Sequence, residues 1–170
     1  MFNGSDLGRM MAEICILHER FPKEPKNAVR RFDGVTPYGV HPTLSAMLLL
    51  HEETLPMETR ETGAKALLCH DIWEDTTAEL PTWARVPDVE FLIKGLTFSK
   101  EEDPFTEMWK RGENIILVKL FDNAANLFCT GTMKPERRAE RAEKIRKHAE
   151  YVEKQYPTLD IIKVIKGLLQ

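Results

Sequence analysis

His70-Asp71-Ile72-Trp73-Glu74-Asp75-Thr76 puts four side chains able to hold a metal or move a proton within six residues. The run before it, Ala64-Lys65-Ala66-Leu67-Leu68-Cys69, is rich in helix formers and lacks Pro and Gly, so the spacing predicts one helix over 58–75 with the motif in its last turns. On a helix His70 and Glu74 lie one turn apart, as do Asp71 and Asp75, and all four can reach one cavity. His70 and Asp71 are neighbours, about 100° apart around the axis, and converge on an ion only if it lies beside the helix. An imidazole nitrogen with a carboxylate oxygen suits a borderline divalent ion such as Mn, Fe or Zn. A His-Asp dipeptide alone equally fits an ordinary capped helix end with solvated acids. Glu74, Asp75 and Thr76 in the same turn favour a site.

Two other stretches can complete it. In Tyr38-Gly39-Val40-His41-Pro42-Thr43-Leu44-Ser45-Ala46-Met47, Pro42 suits a first helical position, and Leu44, Met47 and Leu48 give an apolar stripe, so a helix is expected over 43–53 with His41 ending the loop before it. His41 there reads either as a cap or as a ligand. In Asn114-Ile115-Ile116-Leu117-Val118-Lys119-Leu120-Phe121-Asp122-Asn123-Ala124-Ala125-Asn126-Leu127 the apolar residues recur with helical spacing, which predicts a largely buried helix carrying Lys119, Asp122 and Asn126 on one face. A buried Asp needs a partner, and Lys119 one turn earlier is the simplest one.

Taken in order, these segments, with Ile93-Lys94-Gly95-Leu96-Thr97 between them, resemble the HD superfamily of metal-dependent phosphohydrolases. They look most like the branch holding the hydrolase domain of the RelA/SpoT proteins and the small stand-alone alarmone hydrolases of metazoan type. The resemblance implies an all-α, single-domain helical bundle over 1–170 with a central metal site. It implies a divalent ion, in this branch manganese, held by His41, His70, Asp71 and Asp122. Glu74 and Asp75 would position or deprotonate the attacking water, and Asn126 and Lys119 would contact substrate. The substrate implied first is guanosine tetraphosphate or pentaphosphate, losing its 3′-pyrophosphate. Another nucleotide, such as a nucleoside monophosphate or NADPH, and a non-catalytic nucleotide-binding HD domain are the alternatives.

The chain also departs from that pattern. The basic-His pair that usually precedes the first metal His has only Leu17-His18-Glu19-Arg20 as a counterpart, followed by a Pro- and Lys-bearing segment over 21–32. Lys26, Arg30 and Arg31 there are the basic groups within reach of a phosphorylated substrate, and Arg31 is read as a substrate contact. Asn123-Ala124-Ala125 stands where the family often carries a basic or bulky pair. Trp73 replaces a small aliphatic residue and is expected to pack in the core.

Composition fits this reading. The chain has 170 residues, one domain by length and enough to bury a core. A formal charge of −3 gives no case for nucleic-acid binding. Cys15, Cys69 and Cys129 are odd in number and form no CxxC pair, which suits a reduced cytoplasm. The longest apolar stretch, 44–50, is too short for a bilayer, and no signal peptide is expected. Further helices are expected over 6–20, 89–94, 105–109, 113–130 and 135–155, with a last one starting at Pro157. The long loop over 21–38, with its prolines, is the expected substrate wall. Helix 135–155 is expected to turn its charges to solvent and Ala139, Ala142, Ile145, Ala149 and Val152 inward.

Overall fold

The computed structural model describes residues 4–30, 33–99 and 101–170. It is an all-α bundle of helices α1 (Gly4–Arg20), α2 (Val40–Leu50), α3 (Met57–Cys69), α4 (Ile72–Asp75), α5 (Pro87–Leu96), α6 (Pro104–Glu107), α7 (Glu113–Phe128), α8 (Pro135–Gln155) and α9 (Asp160–Leu168). Among the described residues there is no strand, only isolated bridges between Pro22 and Thr76 and between Val29 and Pro37. Among the described residues, no helix is long and apolar enough to cross a membrane. The three cysteines are unbridged.

The axis of the bundle is α7, in which every residue from Ile115 to Leu127 is buried. A helix apolar on nearly every side can sit only inside a layer of others. Here α2, α3, α5, α8 and α9 supply that layer. Phe121, Leu117 and Leu120 are among its fully buried side chains, packed with Ile14 of α1, Leu49 of α2, Leu67 and Leu68 of α3 and Ile93 of α5. Each such side chain contributes roughly 1.5–3 kcal/mol by leaving water.

Several element ends differ from the sequence expectation. The helix over 58–75 is two helices, separated by a turn at His70 and Asp71. The Leu67 carbonyl, which an unbroken helix would give to the Asp71 N–H, accepts the His70 Nδ1 proton instead at 2.7 Å. The second correction concerns α2, which begins at Val40, so His41 lies in its first turn rather than ending the loop. Pro42 is tolerated there because first-turn N–H groups have no intrahelical acceptor. At Gly39 an added Cβ would fall 2.7 Å from the Cys15 Cα of α1, so a bare backbone is what lets this helix start so close to α1. Pro157 stands ahead of the last helix, which starts at Asp160.

The inward face of α8 is also corrected. Ala139 is exposed, and the buried residues are Ile145, His148, Ala149 and Val152. At the other end of the bundle, buried Glu52 caps α9: its carboxylate accepts the Asp160 and Ile161 N–H groups at 3.1 and 2.9 Å. A carboxylate at a helix N-terminus satisfies otherwise orphaned donors and meets the favourable end of the dipole.

His148 lies between α8 and α7. Its Nε2 is 2.8 Å from the Ile116 carbonyl, which can only accept, so Nε2 carries the proton. Nδ1 then accepts from the Asn123 amide at 3.0 Å. Both nitrogens are satisfied in the neutral ring, and burial pushes its pKa down to about 4 from the ordinary 6.5. The unfolded chain therefore takes up this proton first as pH falls, and the stability tied to the neutral ring is complete above pH 6.5 and lost between 6.5 and 4. The loss should reach ~3 kcal/mol at the acid end. We expect the urea midpoint to drop over that window while the His148 ring signal stays neutral in NMR, and a ring titrating near 6.5 in the folded protein would contradict this.

Candidate metal centre

Three elements bring the chemistry together. The first turn of α2 supplies His41, the turn between α3 and α4 supplies His70 and Asp71, and the middle of α7 supplies Asp122. His41, His70 and Asp71 are all buried, each offering one ligand atom within 4.8 Å of the others, a group that can hold a metal ion. Asp122 lies against both imidazoles: its Oδ1 is 2.7 Å from His41 Nε2 and 3.4 Å from His70 Nε2. His70 Nε2 is 3.2 Å from Asp71 Oδ1, and His41 Nε2 is 3.8 Å from Asp71 Oδ2. Donor atoms about 3 Å apart are what ligands sharing one ion through ~2.1 Å bonds require. Two imidazoles and two carboxylates also form a donor set for a divalent transition metal. His41, His70 and Asp71 therefore fit a divalent ion, with Asp122 beside them.

The surroundings fix these donors. Because His70 Nδ1 is engaged by the Leu67 carbonyl, the ring is held with Nε2 facing the carboxylates, the outer-shell bond usual for a ligating His. The Tyr38 hydroxyl donates to Asp71 Oδ2 at 2.8 Å. Lys119 Nζ pairs with Asp122 Oδ2 at 2.8 Å, and the Asn126 amide donates to Asp122 Oδ1 at 3.0 Å. Arg30 in turn donates to Asn126 Oδ1 at 2.6 Å and lies over the Tyr38 ring. Lys119 is thus a structural partner of Asp122 as well as a wall of the cavity.

The electrostatics follow from burial and pairing. Burial alone would raise the Asp122 carboxyl, but Lys119 and the His41 and His70 hydrogen bonds hold it well below the usual carboxylate range. Burial would lower His70, yet Asp71 and Asp122 raise its pKa to about 9, whereas burial prevails at His41 and lowers it. His41 is lowered despite the short Asp122 contact; both facts hold if the neutral ring donates its Nε2 proton to that carboxylate.

Asp71, Glu74 and Asp75 line one cavity of about 310 Å³ with His41, Asp122 and Asn126, while His70 lies behind it. Glu74 is pushed up to about 7 by burial and by Asp71, and its Oε1 accepts the Phe98 N–H at 2.7 Å. The sequence reading missed part of this wall. Tyr38, Arg137 and Arg141 line the cavity too, beside Arg30, one of the basic groups expected within reach of a phosphorylated substrate. The signal for Arg137 and Arg141 was their i,i+4 spacing on one face of α8, hidden among mixed charges. Arg31, read as a substrate contact, lies outside the described residues. His18 does not line the cavity; it is buried behind Tyr38, stacked on it at 4.8 Å, and burial lowers its pKa to about 4. Lys26 lines a neighbouring cavity instead.

Compared with protein-family models, curated proteins and solved structures, the chain matches none.

Removing Asp122 outright would strand the buried Lys119 ammonium, which alone costs several kcal/mol. Asp122→Asn keeps the shape and removes the charge. We expect it to weaken manganese binding by more than about a hundredfold, beyond the loss typical of outer-shell partners. Metal content measured on the dialysed protein checks this, and full occupancy in the variant would remove Asp122 from the ligand set.

Proposed function

We propose that this chain is an HD-type, metal-dependent phosphohydrolase of a phosphorylated nucleotide. The leading substrate is guanosine tetraphosphate or pentaphosphate, losing its 3′-pyrophosphate. One observation carries the reading: metal donors, two further carboxylates and three arginines line one cavity although they come from five separate stretches of chain. The ordered sequence motifs support it from the other side.

In this reading His41, His70, Asp71 and Asp122 hold the ion, most suitably Mn2+. A divalent ion held there supplies Lewis acidity, lowering the pKa of water and neutralising phosphoryl charge. Glu74 accepts the proton of the attacking water, and Asp75 orients that water from the same turn of helix. Water oxygen bonds to phosphorus, the bond from phosphorus to the ribose 3′-oxygen breaks, and that oxygen leaves with a proton as guanosine 5′-diphosphate and pyrophosphate separate. Arg30, Arg137 and Arg141 face the phosphate charge, where planar guanidinium groups give paired hydrogen bonds. Lys119 acts by holding Asp122, and Asn126 ties Asp122 to Arg30.

The manganese-loaded protein should convert guanosine tetraphosphate to guanosine 5′-diphosphate and pyrophosphate, with weaker action on nucleoside monophosphates. Chromatography of the products decides between readings. Ready hydrolysis of monophosphates or of the NADPH phosphate with the alarmone left intact moves the substrate to that class, and nucleotide binding without turnover of any of them leaves a non-catalytic domain.

Glu74→Gln separates catalysis from binding, because the amide oxygen can still accept the Phe98 N–H while the basic carboxylate is gone. Turnover should fall by about a hundredfold to ten-thousandfold with the metal retained. Loss of the ion would instead make Glu74 a ligand.

A further inference from the structure

Beside the metal cavity lies a larger one of about 700 Å³, and Glu74 and Asp75 form the shared wall between them. On one side stand Trp73 and Phe98, and on the other Lys23 and Asn27. The far wall is tied to the near one: Lys23 N donates to the Asp75 carbonyl at 2.9 Å, and Lys23 Nζ donates to the Trp73 carbonyl at 2.5 Å.

We infer that this cavity is the subsite for the purine base of the nucleotide, with the Trp73 ring as its stacking face and the Glu74 and Asp75 carboxylates as its acceptors. The inference rests on the proposed nucleotide chemistry of the adjoining site. The Phe98 ring is already covered, by the Arg111 guanidinium at 3.9 Å and the Lys119 ammonium at 5.1 Å. Trp73 is half-buried against the core, and its ring carries no aromatic or cationic neighbour among the described residues. An indole packed against the core and lining a cavity is a surface for a planar ring.

Glu74 and Asp75 supply the polar part, as carboxylates on the shared wall that accept hydrogen bonds. Purines carry N–H donors on the edge of the ring. Phosphate groups carry only acceptors, and here they would face those two carboxylates. The described lysines of this cavity are also engaged already, Lys23 by the Trp73 carbonyl and Lys26 by Glu24 at 2.5 Å. Base on the Trp73 side and phosphates on the arginine side is the arrangement that leaves fewest unpaired groups.

The test uses binding, so it does not depend on turnover. With three tryptophans in the chain, Trp83→Phe with Trp109→Phe leaves Trp73 as the sole indole. Guanosine, which has no phosphate, should quench its emission saturably, and ribose 5-phosphate should not. In the otherwise native chain, Trp73→Leu should weaken guanosine 5′-diphosphate binding by about tenfold to a hundredfold, Trp73→Phe should restore most of it, and pyrophosphate affinity should stay unchanged. If the Leu variant fails to fold, the quenching and the Phe variant still decide. Guanosine binding with no change in Trp73 emission, or equal nucleotide affinity in a folded Leu variant, overturns the inference. Quenching in a protein that hydrolyses no nucleotide would leave the subsite standing and sink the phosphohydrolase reading alone.

Discussion

A buried carboxylate at the centre of a buried helix, Asp122 of α7, is the constraint from which the rest of this structure follows. From Ile115 to Leu127 every residue of α7 is buried, yet it carries Lys119, Asp122, Asn123 and Asn126. Each must be matched inside the bundle, because an unpaired buried polar group costs kilocalories and an unpaired charge costs far more. Asn123 is matched by His148, and Asn126 by Arg30 and Asp122. Asp122 collects the most: Lys119 on one oxygen, His41, His70 and Asn126 around the other. Helices α2, α3 and α8 and the loop before α2 are thereby held to α7 by polar contacts as well as by apolar packing. Double pairing of this kind specifies one arrangement of helices where hydrophobic contact alone tolerates several.

The break between α3 and α4 is the other half of the design. Handing the Leu67 carbonyl to His70 turns the imidazole toward Asp122 and frees Asp71 to face the same point. Resuming the helix at Ile72 keeps Glu74 and Asp75 on the cavity side. The geometric difficulty of two adjacent residues pointing apart around one helix is resolved by not having one helix there. The same donor atoms that share protons in this arrangement are those a cation would share.

How much of this was legible in the residues differs by element. The helical period of Ile115 to Leu127 was strong enough to fix α7 and its polar face, and the run over 135–155 gave α8 to the residue. The group His41, His70 and Asp71 was visible through the resemblance carried by the ordered motifs, since His41 by itself reads equally as a cap. What stayed hidden depended on contacts that no local pattern carries. The turn at His70 arises from a side chain competing for a backbone acceptor, the early start of α2 from the room Gly39 leaves against α1, and the exposure of Ala139 from the lack of a neighbour over that end of α8. Arg137 and Arg141 looked like a solvated face until the fold laid that face beside Asp122. Trp73 was expected in the core and is packed against it in part, but it also lines a cavity.

Glu52 adds a temporal side to this architecture. Its carboxylate is 2% exposed, and its backbone partners are Asp160 and Ile161, more than a hundred residues further along the chain. While the protein is being made on a ribosome, the stretch that ends α2 has emerged long before those amides exist. Until synthesis has passed residue 161, the only one of the donors seen in the fold that is available to this carboxylate is the nearby Thr54 hydroxyl, which donates to Oε1 at 2.5 Å. The cap that joins the end of α2 to α9 can therefore form only when the last helix arrives, which makes it a late contact in synthesis.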